Sequence, residues 1–254
     1  VDTNNDRDAY CRVDYRRIMY TFVEQEMGPL RIMREPEPGM VYTLGGDAST
    51  GLADDYTCFQ VLSNTIPFEQ VATFRAKWPV NRVSEFANQL GRYYNEALIV
   101  MEINYPGNSV QDALLDYYKY PRNYQQETRL DQDVDISDKY GFRTTESSKW
   151  LLINEMQLAL TEGGIILHDP VTLSEMMNFV YMKSKGKAGA ADGFNDDTVM
   201  ALMMAYHGAK MYPFAKPRQA KQITAQTIDT DTKRCWKQFR QQMANGRKKK
   251  GIRL

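Results

Sequence analysis

The run Ala97-Leu-Ile-Val-Met-Glu-Ile103 constrains the fold of this chain more than any other segment. It is of strand length and apolar without alternation, so it reads as a central strand covered on both faces. Such a strand needs strands beside it and helices above and below, which points to a layered α/β domain. Into this run the chain places one ionisable residue, Glu102. Glutamate is almost never fully buried without a partner. Glu102 is therefore either one half of a buried pair with arginine or part of a site.

The rest of the chain supplies the layers. Residues 13–28 are predicted to be a helix, and the Pro- and Gly-bearing stretch that follows, through Glu35-Pro-Glu-Pro-Gly39, reads as a linker, so residues 1–40 form a tether. From Val41 the pattern changes to three short strands, ending near Asp47, spanning Thr57–Leu62 and spanning Glu69–Ala76. Their small turn residues and tight spacing predict an antiparallel meander. After Pro79, apolar residues at Val83, Phe86, Ala87, Leu90 and Tyr94 have helical spacing. The central strand follows, and then a helix over Gly107–Tyr118. A polar insertion runs from Gln125 to Gly141. Helices are predicted over Lys149–Leu160 and from Pro170 through Met182, with a short strand at Ile165–His168 between them. The glycine- and lysine-rich stretch from Lys183 to Gly193 reads as a loop before the last long helix, for which Asn195 and Asp196 are suitable N-caps. The fold expected is one α/β domain over residues 41–212, its mixed sheet flanked by helices and its first three strands antiparallel.

Composition narrows the chemistry. No run approaches the roughly 18 apolar residues of a membrane span. Three scattered cysteines, Cys11, Cys58 and Cys235, give no disulfide framework. Two histidines and no Cys-x-x-Cys argue against structural zinc, so any metal should be hard and oxygen-ligated. The formal net charge is zero, but residues 210–254 carry 13 Lys and Arg against two acidic residues, which leaves an acidic body. The basic tail, residues 213–254, either adds phosphate contacts or only keeps the chain soluble.

The acidic body holds the candidate site. Asp47 closes an apolar strand, on the same side as Thr43 and Gly45, although Asp-x-Ser-Thr-Gly is also a good surface turn. Asp196 and Asp197 open the last helix, where acidic residues stabilise the helix dipole in any protein. Below Asp197, Ala201 and Ala205 lie on one face, continued by Gly208 and Ala209. A face of such small residues can approach a sheet closely and carry Asp197 to the strand ends. Three or four convergent carboxylates repel one another unless divalent ions sit among them. Two ions about 3.5–4 Å apart can activate water against a phosphodiester. Oxygen ligands select Mg²⁺ or Mn²⁺.

The segments YTLGGDASTGLADDYTCFQVL, YNEALIVMEINYPGNSVQDAL, YGFRTTESSKWLLINEMQLAL and DGFNDDTVMALMMAY, in that order, resemble the C-terminal nuclease domain of the large terminase subunits of tailed bacteriophages. The resemblance spans about Val41 to Met211. It implies a ribonuclease H-like fold and an endonuclease that cuts concatemeric double-stranded viral DNA during genome packaging. It also implies a site in which Asp47, Glu102 and Asp197 are catalytic and bind two Mg²⁺ or Mn²⁺ ions, with Asp196 as an auxiliary ligand. Asn104 and Gly107 would shape the loop beside Glu102. Asn195 stands where many members have histidine, which puts a supporting role at that position in doubt. Lys149, with Lys183, Lys185 and Lys187, would contact DNA. The partners implied are double-stranded DNA, the portal, the small terminase subunit and the packaging ATPase domain of the full-length protein, whose phosphate-binding loop this chain lacks. The expected setting is the host cytoplasm, with transient docking on the procapsid, no membrane and a monomeric isolated domain. A resolvase- or integrase-like nuclease, or a non-catalytic DNA-binding or docking module, are the alternative readings.

Overall fold

A computed structural model describes residues 11–14, 19–23, 25–26, 28–51, 55–126, 140–182 and 186–211. The basic tail, Lys183, Lys185 and most of the polar insertion therefore lie outside the described residues. A six-stranded mixed sheet forms the centre. Strands β4 (Tyr42–Asp47), β5 (Thr57–Ser63) and β6 (Phe68–Ala76) make the expected antiparallel meander. β7 (Leu98–Met101) lies parallel to β4, with Thr43 opposite Leu98 and Gly46 opposite Met101. At the other edge β6 pairs antiparallel with β3 (Leu30–Ile32) and parallel with β8 (Ile165–Ile166).

Helices cover both faces. On one lies α1 (Val80–Tyr93), with Val83, Phe86, Ala87 and Leu90 turned inward. Beside it α2 (Gly107–Asp112) runs into a π-helical turn at Ala113–Tyr117. The other face carries α3 (Glu146–Thr161), α4 (Pro170–Met177) and α5 (Asp197–Met211). The alternation of β7 sorts its side chains between two cores. Leu98 and Val100 join the α5 side, and Ile99 and Met101 join the α1 side. All four are buried, as a doubly covered strand requires.

Three elements differ from the sequence-based expectation. Within the helix predicted over 13–28, the chain forms strands β1 (Cys11–Asp14) and β2 (Met19–Phe22), paired antiparallel. Phe22 packs edge-on against Tyr93 and tilted against Phe86, at centroid distances of 4.9 and 5.7 Å. Tertiary packing of an aromatic residue thus outweighs local helical propensity. Because β3 belongs to the sheet, residues 30–32 are part of the domain and not of a tether. Finally, the helix expected to reach Met182 stops at Met177. Phe179–Met182 is strand β9, which forms a hairpin with β10 (Lys187–Ala190) inside the stretch read as a loop. β10 is too short and too rich in Gly, Ala and Lys to carry a strand signature of its own.

Candidate metal centre

The parallel register of β4 and β7 brings the first two carboxylates together. The Glu102 amide donates to the Gly46 carbonyl at 2.8 Å, extending the ladder one step beyond Met101. Asp47 and Glu102 are thus neighbours at the ends of adjacent parallel strands. Both follow, by alternation, residues that face α5. On that face Gly45 is a necessity. A Cβ there would run into the Ala201 carbonyl and the Ala205 amide and stand 2.9 Å from Ala205 Cα. A Cβ at Gly208 would in turn stand 2.4 Å from a Val100 methyl carbon of β7. The face of small residues read from the sequence is therefore the contact by which α5 lies directly on β4 and β7. It delivers Asp197, the first residue of α5, to the same end of the sheet.

The loop after β7 is built around Glu102. Asn104 Nδ2 donates to Glu102 Oε1 at 3.2 Å and to the Thr144 carbonyl at 2.9 Å. The Gly107 amide donates to the Asn104 carbonyl at 2.8 Å, and a Cβ at Gly107 would collide with the Glu102 carbonyl oxygen. Phe142 lies beside Glu102 through two backbone bonds, Phe142 N to Met101 O at 2.7 Å and Ile103 N to Phe142 O at 3.0 Å. The Gly-Phe-Arg-Thr segment and the Asn104–Gly107 loop are thus two walls of one structure.

Burial and like charge set these carboxylates against one another. Burial pushes the Asp47 carboxyl well above the usual carboxylate range. Glu102 adds to this as a like charge and hydrogen-bonding neighbour, and Asp197 and Asp196 add further repulsion. Asp197 is pushed up to about 6, mainly by burial, although the Tyr56 amide and the Asn195 side chain donate to its Oδ2 at 3.0 and 3.2 Å. Burial raises the neighbouring Cys58 thiol too, with Asp197 and Asp47 contributing. Among the described residues, no three carboxylate, histidine or cysteine side chains are drawn together tightly enough to enclose an ion as they stand. The carboxylates are gathered but the shell is not closed. The donor set is nonetheless all oxygen, of the kind that suits hard divalent cations.

Asp196 stands at the N-cap position of α5, its carbonyl accepting the Met200 amide at 2.8 Å, but neither its side chain nor that of Asn195 is seen capping the helix. Asp196 turns away to Lys149, with Nζ to Oδ2 at 3.3 Å, so the candidate phosphate-binding lysine is engaged by a candidate ligand. Asn195 uses its side chain on Asp197. The start of α5 is instead capped from α4. Glu175 Oε2 accepts the Thr198 amide at 2.9 Å and the Thr198 hydroxyl at 2.5 Å. The other oxygen of Glu175 faces Arg75 Nε at 3.5 Å, and the Arg75 guanidinium lies 3.4 Å from the centre of the Tyr56 ring. Arg75 therefore connects the cap of α5 to the residue whose amide holds Asp197. Sequence reasoning missed Tyr56, Arg75 and Glu175. The only signal in the chain was Glu175 itself, an acidic residue beside the methionines of α4. Lys187 is exposed on β10, and Gly189 of the same strand lies close to both Asp196 and Lys149. Neither histidine joins the carboxylates. His207 pairs with Glu155 and Tyr124, and His168 with Glu69.

Solved structures share this architecture. The large terminase nuclease from thermophilic phage G20c with bound cobalt superposes at a TM-score of 0.57 and 21% identity, covering 72% of this chain and 89% of that one. The same nuclease with bound magnesium gives 0.55 and 20%, over 72% and 89%. The large terminase nuclease domain of Thermus phage P74-26 gives 0.53 and 21%, over 72% and 86%. This chain has the large terminase nuclease fold. The mixed sheet with helices on both faces agrees with the ribonuclease H-like fold that the resemblance implied. No family model and no curated protein sequence matches the chain. Among the described residues, no helix is long and apolar enough to cross a membrane.

Proposed function

We propose that this chain is a divalent-metal-dependent endonuclease of the terminase type, cutting double-stranded viral DNA during genome packaging. One observation carries the reading: Asp47 and Glu102 end adjacent parallel strands, and Asp197 at the start of α5 lies at the same end of the sheet, held by the Tyr56 amide. The shared fold with cobalt- and magnesium-bound terminase nucleases supports it. Asp47, Glu102 and Asp197 are the ligands, and Asp196 is an auxiliary one that must first part from Lys149. Bound Mg²⁺ or Mn²⁺, as a pair of ions, would neutralise the carboxylates and supply the Lewis acidity that phosphodiester hydrolysis needs. The protein contributes position. Asn104 fixes the Glu102 carboxylate, and the Tyr56 amide and Asn195 fix Asp197. Lys149 in α3 and Lys187 in β10 are assigned to DNA phosphates, as are Lys183 and Lys185, which lie outside the described residues. The setting follows from the same reading: host cytoplasm, with the portal, the small subunit and an ATPase domain as partners.

Supercoiled plasmid incubated with Mn²⁺ or Mg²⁺ tests this. Nicked and linear products should form only with metal, and Asp47→Asn or Asp197→Asn should reduce the rate by about a thousandfold or more, the scale on which essential catalytic groups act. Metal-independent cleavage, or full activity in both variants, contradicts the assignment. A junction-resolving enzyme would instead cut branched DNA in preference to plasmid.

A further inference from the structure

Tyr56 stands directly before β5, and its amide holds Asp197 Oδ2 at 3.0 Å. The next residue serves the other strand end, since Thr57 Oγ1 accepts the amide of Ser49, two residues beyond Asp47, at 3.0 Å. The start of β5 thus steadies two of the three carboxylates. What steadies Tyr56 comes from β6. Cys58 pairs with Arg75, so Arg75 shares the face of Cys58 and Gln60, the face on which Gln60 meets Thr172 of α4 and the Thr198 carbonyl of α5. The Arg75 guanidinium sits 3.4 Å from the centre of the Tyr56 ring, and Lys77 Nζ approaches the same ring at 4.8 Å.

Arg75 also reaches the helix that carries Asp197. Glu175 caps α5 through Thr198 and leaves Oε1 facing Arg75 Nε at 3.5 Å. Both atoms are buried and neither has a hydrogen-bond partner among the described residues, so charge joins them. Glu175 is 7% exposed, and removing Arg75 would leave a buried carboxylate without its cation. One guanidinium therefore balances the cap of α5 and braces the residue that donates to Asp197. A planar cation set on an aromatic face loses little freedom for each contact it makes, which suits it to this use. We propose that Arg75 is a positioning residue of the cation centre, setting the affinity for divalent metal at Asp197 through Tyr56 and the Glu175 cap. The role rests on the reading of Asp197 as a ligand. Groups that orient ligands from behind change metal affinity by about 10- to 100-fold when replaced.

Mn²⁺ titration calorimetry, with metal-free thermal melts and hydrogen exchange at the Tyr56 amide, tests this. Arg75→Lys keeps a charge facing Glu175 but replaces the flat guanidinium over Tyr56 by a mobile ammonium. It should weaken Mn²⁺ binding by about tenfold or more and speed exchange of the Tyr56 amide, with little change in the metal-free melt. Tyr56→Ala should weaken Mn²⁺ to a similar degree, whereas Tyr56→Phe keeps the ring and should bind within about twofold of wild type. In the double variant of Arg75→Lys and Tyr56→Ala the losses should not add, because both act through one contact. Undiminished Mn²⁺ binding in folded Arg75→Lys, or losses that add in the double variant, overturns the role. Should Arg75→Lys melt early, the Tyr56 variants decide, and equal binding by Tyr56→Ala and Tyr56→Phe overturns it. A wild-type chain that binds no Mn²⁺ removes the metal reading alone. Faster Tyr56 exchange in Arg75→Lys, with the rest of β5 unchanged, then retains Arg75 as the support of the Asp197 carboxylate, and unchanged exchange removes it.

Discussion

Under α1 the sheet presents Phe59 and Phe74, which stack with each other at 5.5 Å and with Phe86 at 6.4 and 4.3 Å, with Trp78 closing the cluster. Under α4 and α5 the same strands present Gln60, Gln70 and Thr43, and the buried groups above them include Thr172, Glu175 and Thr198. The first face is held by aromatic area and shape. The second buries polar groups whose hydrogen bonds must be met, as Gln60 to Thr172 at 2.8 Å and Gln70 to Gln60 at 2.7 Å show. One face stabilises the domain, and the other spends part of that stability on holding charge where water cannot easily screen it. Strand β4 makes the contrast within two residues. Gly45 faces the backbone of α5, whereas Gly46 faces the Phe59 ring and the Met101 sulfur.

That contrast can be broken by substitution. Gly45→Ala should have the largest effect, because the colliding atoms are the backbone of α5, which cannot yield without undocking. A loss of more than about 4 kcal/mol is expected, read as failure to give a cooperative thermal melt. Gly46→Ala should cost only about 1–3 kcal/mol, because a ring and a thioether can shift to admit a methyl group. Equal penalties would mean that α5 is not pressed on the strand as described.

A smaller effect of opposite sign belongs to the charged end. The folded-state pKa of Asp197 is raised to about 6, so folding favours its protonated form. The ionised form destabilises the fold, a penalty absent below the unfolded-state value near 4, growing between the two and complete above about 6. Asp197→Asn should therefore raise metal-free stability at pH 7.5 by about 1–2 kcal/mol, discounted for partial exposure, with no gain at pH 4. Denaturant melts at the two pH values check this. A variant less stable than wild type at pH 7.5 would show that the Tyr56 and Asn195 contacts outweigh the burial.

The legible parts of the molecule were those with local signatures. The apolar run around Glu102 announced both the central strand and its ionisable residue, and Ala201, Ala205 and Gly208 announced the close approach of α5. What was not legible depends on contacts distant in sequence. Glu175 caps a helix that begins 22 residues later, and Arg75 reaches both Glu175 and Tyr56 only after β5 and β6 have paired. No short window contains such a relation. The β9–β10 hairpin escaped for a different reason. Phe179–Met182 continues an apolar helix pattern, and β10 has a loop composition, so only their pairing makes either a strand.

The central claim is that Asp47, Glu102 and Asp197 form one cation site, and Mn²⁺ binding measures it without recourse to catalysis. Titration calorimetry of the wild-type chain, paired with thermal melts over the same Mn²⁺ range, should show saturable binding and a melting temperature that rises with metal. Asp47→Asn should abolish both, while Asp196→Asn should weaken them only partly. Undiminished binding and stabilisation in Asp47→Asn would contradict the account.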